Sequence, residues 1–326
     1  MVAVFIFTPK SEISPQQRRH LPQKPEAHPF CLQRVFQRPH LWDMKNATIK
    51  TLAFCGILLC CQFSLHSQTT LRGRLLDAET REPIGYVSVG IPGSSTGTVA
   101  APDGFFELVV PADAQNSVAF SCIGYARRTA ALGELMAANG GDVFLHPAPM
   151  LLQEVVVSPA REAKTEVLGM EKTNTAMAVN FAINDRINQN LGSEIGRRFK
   201  IKKAAQLEKF QFFVTSNFDT VQFRINVYSL KKGEIGDNLL KDNIIVTLVG
   251  KKKGWVEVDL LPYDVRVDQS VVVSAEWVNA SKRGNYLALP IGMPRPGNKH
   301  FYKFGSQNRW KIFNMMSAAM LLQIRQ

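Results

Sequence analysis

The chain has 326 residues, 45% of them hydrophobic, with 5 Cys and a formal net charge of +12. That length supports two ordinary domains, and the charge raises nucleic acid, acidic polysaccharide or lipopolysaccharide as partners. Where the charges and cysteines fall narrows both readings.

Residues 1–43 mix Pro, Gln and Arg without a sustained period, and read as an over-extended start or a disordered segment. Met44 opens a stretch with Lys45 and Lys50, an apolar run from Leu52 to Leu65, and small Ser64 and Ser67. A basic head, a short apolar body and a small-residue exit describe a secretory signal peptide over 44–67, cleaved after Ser67. No Cys there follows the small residue that a lipoprotein site needs. Cys31, Cys55, Cys60 and Cys61 all precede the cut, which leaves Cys122 alone. One thiol makes no internal disulfide, so an exported fold must hold by core burial, and Cys122 reads as a small buried hydrophobe. Residues 1–67 also carry 8 of the 39 Lys and Arg against 3 of the 27 Asp and Glu, which leaves the rest at a net +7. An exported protein of that charge has little occasion to meet nucleic acid. Lys202-Lys203, Lys231-Lys232 and Lys251-Lys252-Lys253 fall between apolar runs and read as solvated loops.

From residue 68 to 159 the pattern is of short strands. Val87, Val89 and Ile91 alternate with Ser88 and Gly90, Phe106, Leu108 and Val110 alternate with Glu107 and Val109, and Val118, Phe120 and Cys122 form a further row. Pro102-Asp103-Gly104 reads as a hairpin turn, and turn signals this closely spaced argue for a sandwich. Gly73, Asp77, Thr80, Glu82, Pro83, Val87, Val89, Gly93, Gly97, Thr98, Gly104, Phe106, Leu108, Val110, Pro111, Ser121, Gly124 and Tyr125 carry a resemblance to the carboxypeptidase regulatory-like domain. That resemblance implies a transthyretin-like (prealbumin-like) β-sandwich and no activity of its own. The same domain precedes the plug of TonB-dependent receptors, and Leu152 to Val157 resembles the run that ends it there. The sequence beyond is too short for the roughly 22 tilted strands of such a barrel, so the chain could at most serve one as an accessory.

Residues 160–190 read as a polar linker with weak helical character. After Gly192 alternation resumes: Phe210, Phe212 and Val214 share a face, and Val221, Phe223, Ile225 and Val227 form a second row opposite Gln222, Arg224 and Asn226. Further strands are expected over 244–249, 255–260, 271–278 and 286–290, with breaks near Asn217 to Thr220, Lys232-Gly233 and Lys253-Gly254. The fold class is therefore all-β, with a jelly-roll-like second sandwich over 191–326. The two sandwiches are expected to fold separately.

Chemistry is sparse in this pattern. Only His146 and His300 follow the signal peptide, and neither has the neighbouring Glu of a zinc peptidase. Gly93 to Thr98 lacks the Lys of a phosphate-cradling loop. Glu257 and Asp259 share a strand face and would serve a glycosidase only if paired across a bond; a solvated sheet face is the plainer reading. No catalytic residue, metal or cofactor is assigned. Trp255, Trp277, Tyr286, Tyr302 and Trp310 are the ligand-binding candidates, since sugar-binding faces use exposed aromatics beside amides and acids, although large strand aromatics usually fill cores. The expectation is an exported, non-enzymatic envelope binding or adaptor protein of a Gram-negative bacterium. It would lie in the periplasm or at the cell surface, with a glycan or envelope protein as partner and peripheral association with the outer membrane. A structural spacer and a glycan hydrolase are the competing readings.

Overall fold

The computed structural model describes residues 69–111, 117–138, 141–148, 164–182 and 190–326. The segments read as an over-extended start, as a signal peptide and as the Leu152 to Val157 run lie outside those residues.

The amino-terminal sandwich has seven described strands: β1 (Thr69–Asp77), β2 (Ser88–Gly90), β3 (Gly97–Val99), β4 (Phe105–Val110), β5 (Ser117–Ser121), β6 (Arg128–Ala131) and β7 (Asp142–Leu145), with a short helix α1 (Leu132–Ala137) before β7. One sheet runs β4-β1-β7, and the other β3-β2-β5-β6. The alternation in β4 works as the sequence implies: Phe106, Leu108 and Val110 are buried with Leu71, Leu75, Val87, Val89 and Phe120 in one core. Phe106 and Phe120 meet edge to face at 5.8 Å across the sheets. Each fully buried side chain of this size contributes roughly 1.5–3 kcal/mol. The Pro102-Asp103-Gly104 turn is tight, but β3 and β4 belong to different sheets. It is a corner of the sandwich rather than the expected hairpin turn. Gly104 sits at φ +79°, where a Cβ would lie 2.5 Å from the Leu75 carbonyl oxygen, so no other residue fits. Asp77 closes the turn after β1 by accepting from the Glu79 and Thr80 amides at 2.7 and 2.9 Å, while Tyr125 donates to its other oxygen at 2.9 Å. Those donors hold the Asp77 carboxyl below its usual range, and burial together with Asp77 pushes the Tyr125 hydroxyl up to about 12.

The carboxy-terminal sandwich contains β8 (Thr165–Gly169), β9 (Met177–Asn180), β10 (Glu194–Phe199), β11 (Ala205–Ser216), β12 (Thr220–Lys231), β13 (Glu234–Asn238), β14 (Ile244–Val249), β15 (Lys252–Asp259), β16 (Arg266–Val267), β17 (Val271–Ala280), β18 (Leu287–Gly292), β19 (Lys299–Lys303), β20 (Lys311–Asn314), β21 (Ser317–Ala318) and β22 (Met320–Arg325). One sheet is ordered β13-β12-β17-β10-β19-β20 with β14 also on β12. The second is ordered β21-β18-β11-β22-β8, with β15 and β16 on β11 and β9 on β18. Between them the two rows read from the sequence interlock. Phe212 of β11 meets Phe223 of β12 edge on at 5.2 Å, and Phe199, Phe210 and Phe181 extend the aromatic core.

One correction concerns the linker. Residues 165–169 and 177–180, expected in a polar connector, form β8 and β9, which pair antiparallel with β22 and β18. Both lie on the rim of a sheet with little buried surface, so their sequence carries no apolar row to announce them.

Candidate functional site

The sheet of β12, β17 and β10 has apolar side chains inward and a polar row on its other face. That row is covered by β2 and β3 of the amino-terminal sandwich. Glu194 of β10 and Glu276 of β17 stand directly opposite each other and are 0% and 1% exposed. Arg224 of β12 donates from Nε to Glu276 at 2.9 Å, from Nη2 to the Ser88 hydroxyl at 2.7 Å and from Nη1 to the Tyr86 carbonyl at 2.6 Å. Lys303 pairs with Glu194 at 2.9 Å. Asn226 donates to both carboxylates, at 2.8 and 3.1 Å, and Ser274 donates to Glu194 at 2.5 Å. Burial raises the Glu276 carboxyl, but Arg224 and Lys303 outweigh it and leave the group below its usual value.

A backbone dock lies beside this network. Residues 304–309 press onto β2 and β3: Ser306 Oγ donates to the Val89 carbonyl at 2.6 Å, and Gln307 Nε2 donates to the Ser88 carbonyl and the Ser121 hydroxyl, both at 2.9 Å. A Cβ on Gly97 would lie 2.7 Å from the Ser306 amide nitrogen. The glycine-rich loop after β2 therefore receives protein backbone. Val99, Tyr86 and Ile123 of the first sandwich also pack on the second core, so the sandwiches have two cores but one shared, hydrogen-bonded seam. The sequence reading expects two sandwiches that fold separately; in the structure this interface joins them. Cys122 is half-buried at the seam, 3.9 Å from Asn243 Nδ2, and burial pushes its thiol up.

Of the five aromatic candidates, two are core. Trp277 is 1% exposed, packs on Phe218 at 5.5 Å and donates to the Asn279 carbonyl at 3.1 Å; Tyr302 is 5% exposed and stacks on Phe313 at 5.3 Å. Neither offers a face to a ligand: Trp277 falls in the row of Val271, Val273 and Ala275, the inward face of β17. Trp310 is half-buried against Tyr228 at 5.7 Å, with the Lys303 ammonium 5.1 Å from its ring, so it helps to cover the seam.

Trp255 and Tyr286 remain available. Trp255 lies opposite Phe213 on the outer side of the β11–β15 pair, their rings edge to face at 5.7 Å and both half-buried. On the same face Gln211 lies opposite Glu257 and donates to it at 3.1 Å, and Lys209 pairs with Glu257 at 2.7 Å. Tyr286 is 40% exposed beside Asn217, just past the end of β11, where Asn217 Oδ1 accepts from the Asn285 and Tyr286 amides at 2.9 and 2.8 Å. The arrangement is an aromatic edge with amides, a carboxylate and an ammonium at its side. Sequence reasoning found Trp255, Tyr286 and Glu257 but missed Phe213, although its outward place follows from the row of Phe210, Phe212 and Val214 on the other face of β11.

No cluster of three or more metal-ligating side chains occurs among the described residues. Among curated proteins none matches the chain. Solved structures similar to it include the cysteine protease and lectin-like domains of Cwp84, a surface layer associated protein of Clostridium difficile, at 7% identity and TM-score 0.36 over 73% of this chain and 50% of that one. The infectious bursal disease virus Gx strain structure matches at 8% and 0.24 over 80% of each chain, and BcpA, the major pilin subunit of Bacillus cereus, at 11% and 0.16 over 77% and 69%. The chain thus spans half the length of the Cwp84 structure, and likeness this distant carries no argument about function. Residues 71–157 match the family model of the CarboxypepD_reg-like domain, and the amino-terminal sandwich is a domain of that family.

Proposed function

We propose that the protein is an exported, non-enzymatic envelope module that binds glycan on the outer face of β11 and β15. The observation that supports this is the half-exposed Trp255–Phe213 pair flanked by Gln211, Glu257 and Lys209. An aromatic edge beside amide and carboxylate groups suits a pyranose, whose apolar face stacks while its hydroxyls bridge to polar neighbours. Export rests on the signal-peptide reading of residues 44–67, and a periplasmic or cell-surface place, peripheral to the outer membrane, is part of the same proposal.

The carboxylates do not favour hydrolysis. Glu194 and Glu276 are sealed under the first sandwich and neutralised by Lys303 and Arg224, while Glu257 is held by Lys209 and Gln211 on an open face. An adaptor or spacer role is the second reading, favoured by the seam that joins the two sandwiches. Calorimetric titration of residues 68–326 against soluble envelope glycans decides between them. Binding that Trp255→Ala weakens by about 1–3 kcal/mol supports the glycan face. Binding unaffected by that change, or no binding by any glycan, leaves the adaptor. Hydrolysis abolished by Glu257→Gln would overturn the non-enzymatic reading.

A further inference from the structure

A second set of buried charges lies away from the seam, inside the carboxy-terminal sandwich. Along β10 the side chains alternate, with Glu194 toward the amino-terminal sandwich and Ile195, Arg197 and Phe199 toward the space between the sheets. Arg197 stands opposite His300 of β19, so the guanidinium and the imidazole start from neighbouring cross-strand positions. Both are buried, Arg197 at 6% and His300 at 1% exposure. Arg197 Nη2 donates to Asn298 Oδ1 at 3.0 Å, and Nη1 reaches the Ala318 carbonyl at 3.4 Å. Its Nε and both ring nitrogens of His300 have no hydrogen-bond partner among the described residues.

The contrast with Arg224 is instructive. Both guanidiniums are buried in the same sheet, but Arg224 has Glu276 at 2.8 Å, whereas the ion pairs of the described residues include neither Arg197 nor Arg295. Arg295 follows the Met293-Pro294 bond in the loop over this end of the sandwich; burial first, and then the like charge of Arg295, lowers the Arg197 guanidinium to about 10. Arg198 Nη2 donates to the Gly297 carbonyl at 2.7 Å and Lys200 Nζ lies beside Gly297, so the loop is ringed by positive charge. A buried cation with unfilled donors and a second cation facing it is costly unless an anion joins them.

We propose that Arg197, His300 and Arg295 form a binding site for an oxyanion, a phosphate or carboxylate group, entering at the 293–298 loop. Arg197 Nε supplies a charge-assisted donor, the neutral imidazole of His300 supplies one N–H, and Arg295 closes from the loop. Met293 and Met315 are exposed beside Arg295, whose amide donates to the Met315 carbonyl at 2.6 Å. The anion can therefore be free or can be the headgroup of a lipid whose chains meet those methionines.

The test titrates residues 68–326 with inorganic phosphate, with glucuronate and with phosphatidylcholine vesicles containing phosphatidic acid, following heat and the His300 ring resonances. Saturable binding of at least one probe that shifts the His300 signals is expected. Arg197→Lys and Arg295→Gln should each weaken it roughly tenfold or more, while Lys252→Gln, on β15 in the other sheet, should leave it unchanged. Arg295 is only half-buried, so its variant keeps the site testable if Arg197→Lys fails to fold. Binding by vesicles alone identifies a headgroup, and binding by the soluble probes a small anion. Absence of binding by all three at about 10 mM, or equal affinity in Arg295→Gln, would overturn the site.

Discussion

Arg224→Met tests whether the seam is a structural element of the fold. The substitution keeps most of the side-chain volume but removes the donors to Glu276, Ser88 and the Tyr86 carbonyl at 2.9, 2.7 and 2.6 Å. It leaves Glu276 ionised beside Glu194 with Lys303 as the remaining cation. Removing one partner of a buried pair costs about 3–5 kcal/mol, chiefly because the other charge stays buried. For a chain of this size that should lower the thermal midpoint by roughly 10 °C. The pH dependence adds a sign. In the intact protein Glu276 is held below its ordinary value of 4.5, so its contribution is present above that pH and is lost as pH falls through the lowered value. Without Arg224, burial dominates and raises the carboxyl, which makes the variant's penalty small in acid and larger as pH rises through the raised value. The gap between the proteins should therefore widen from about pH 4 toward neutrality. Urea denaturation across that range measures it. A loss under about 1 kcal/mol at pH 7, or a gap that narrows with pH, would refute the reasoning. Adding Glu276→Leu to Arg224→Met should recover part of the loss.

His300 should make the fold acid-sensitive: burial, then the charge of Arg197, lowers its imidazole to about 4 from 6.5, so stability is complete above the upper value and falls toward the lower one by up to about 3 kcal/mol. His300→Gln should flatten that part of the stability curve, and an unchanged slope between those values would refute the assignment. Gly97→Ala should cost about 1–3 kcal/mol, because its Cβ would lie 2.7 Å from the Ser306 amide nitrogen; a neutral effect by denaturant melting would show that the dock yields. Cys122 should react slowly with a thiol reagent and faster in Arg224→Met, since opening the seam uncovers it; equal rates would mean that the thiol is reached without separation of the sandwiches.

How far the sequence reveals this fold can be judged strand by strand. The inward rows of β4, β11 and β12 are legible because each alternates large apolar with polar residues, and one face meets a core. The apolar row of β17 is equally plain, and it places Trp277 inside, a conclusion available once Val271, Val273 and Ala275 are counted with it. Strands β8 and β9 are not legible, since a rim strand buries little and shows no period. Cys122, expected as a small buried hydrophobe, is half-buried and packs against the amino-terminal core, while its place beside Asn243 at the interface is something the row of Val118 and Phe120 cannot announce.

The seam is the harder case, and its concealment has a physical cause. Arg224 and Asn226 on β12, and Ser274 and Glu276 on β17, alternate with buried apolar residues as an outward, solvated face would. Periodicity reports which side a residue faces and not what covers that side. Here the cover is the β2-β3 pair, whose approach needs Gly97 on one side and the Ser306 backbone on the other. The sequence did contain a sign of it, because Glu194 and Glu276, placed opposite each other on bare neighbouring strands, would repel without cations beside them. Arg224 lies opposite Glu276 on the third strand, and Lys303 opposite Glu194 on the fourth. Two carboxylates at the centre, flanked by a cation on each outer strand, form a balanced cluster across four adjacent strands rather than a random solvated face. That pattern could be recognised only after the strand order was known, since Glu194 and Lys303 are far apart along the chain.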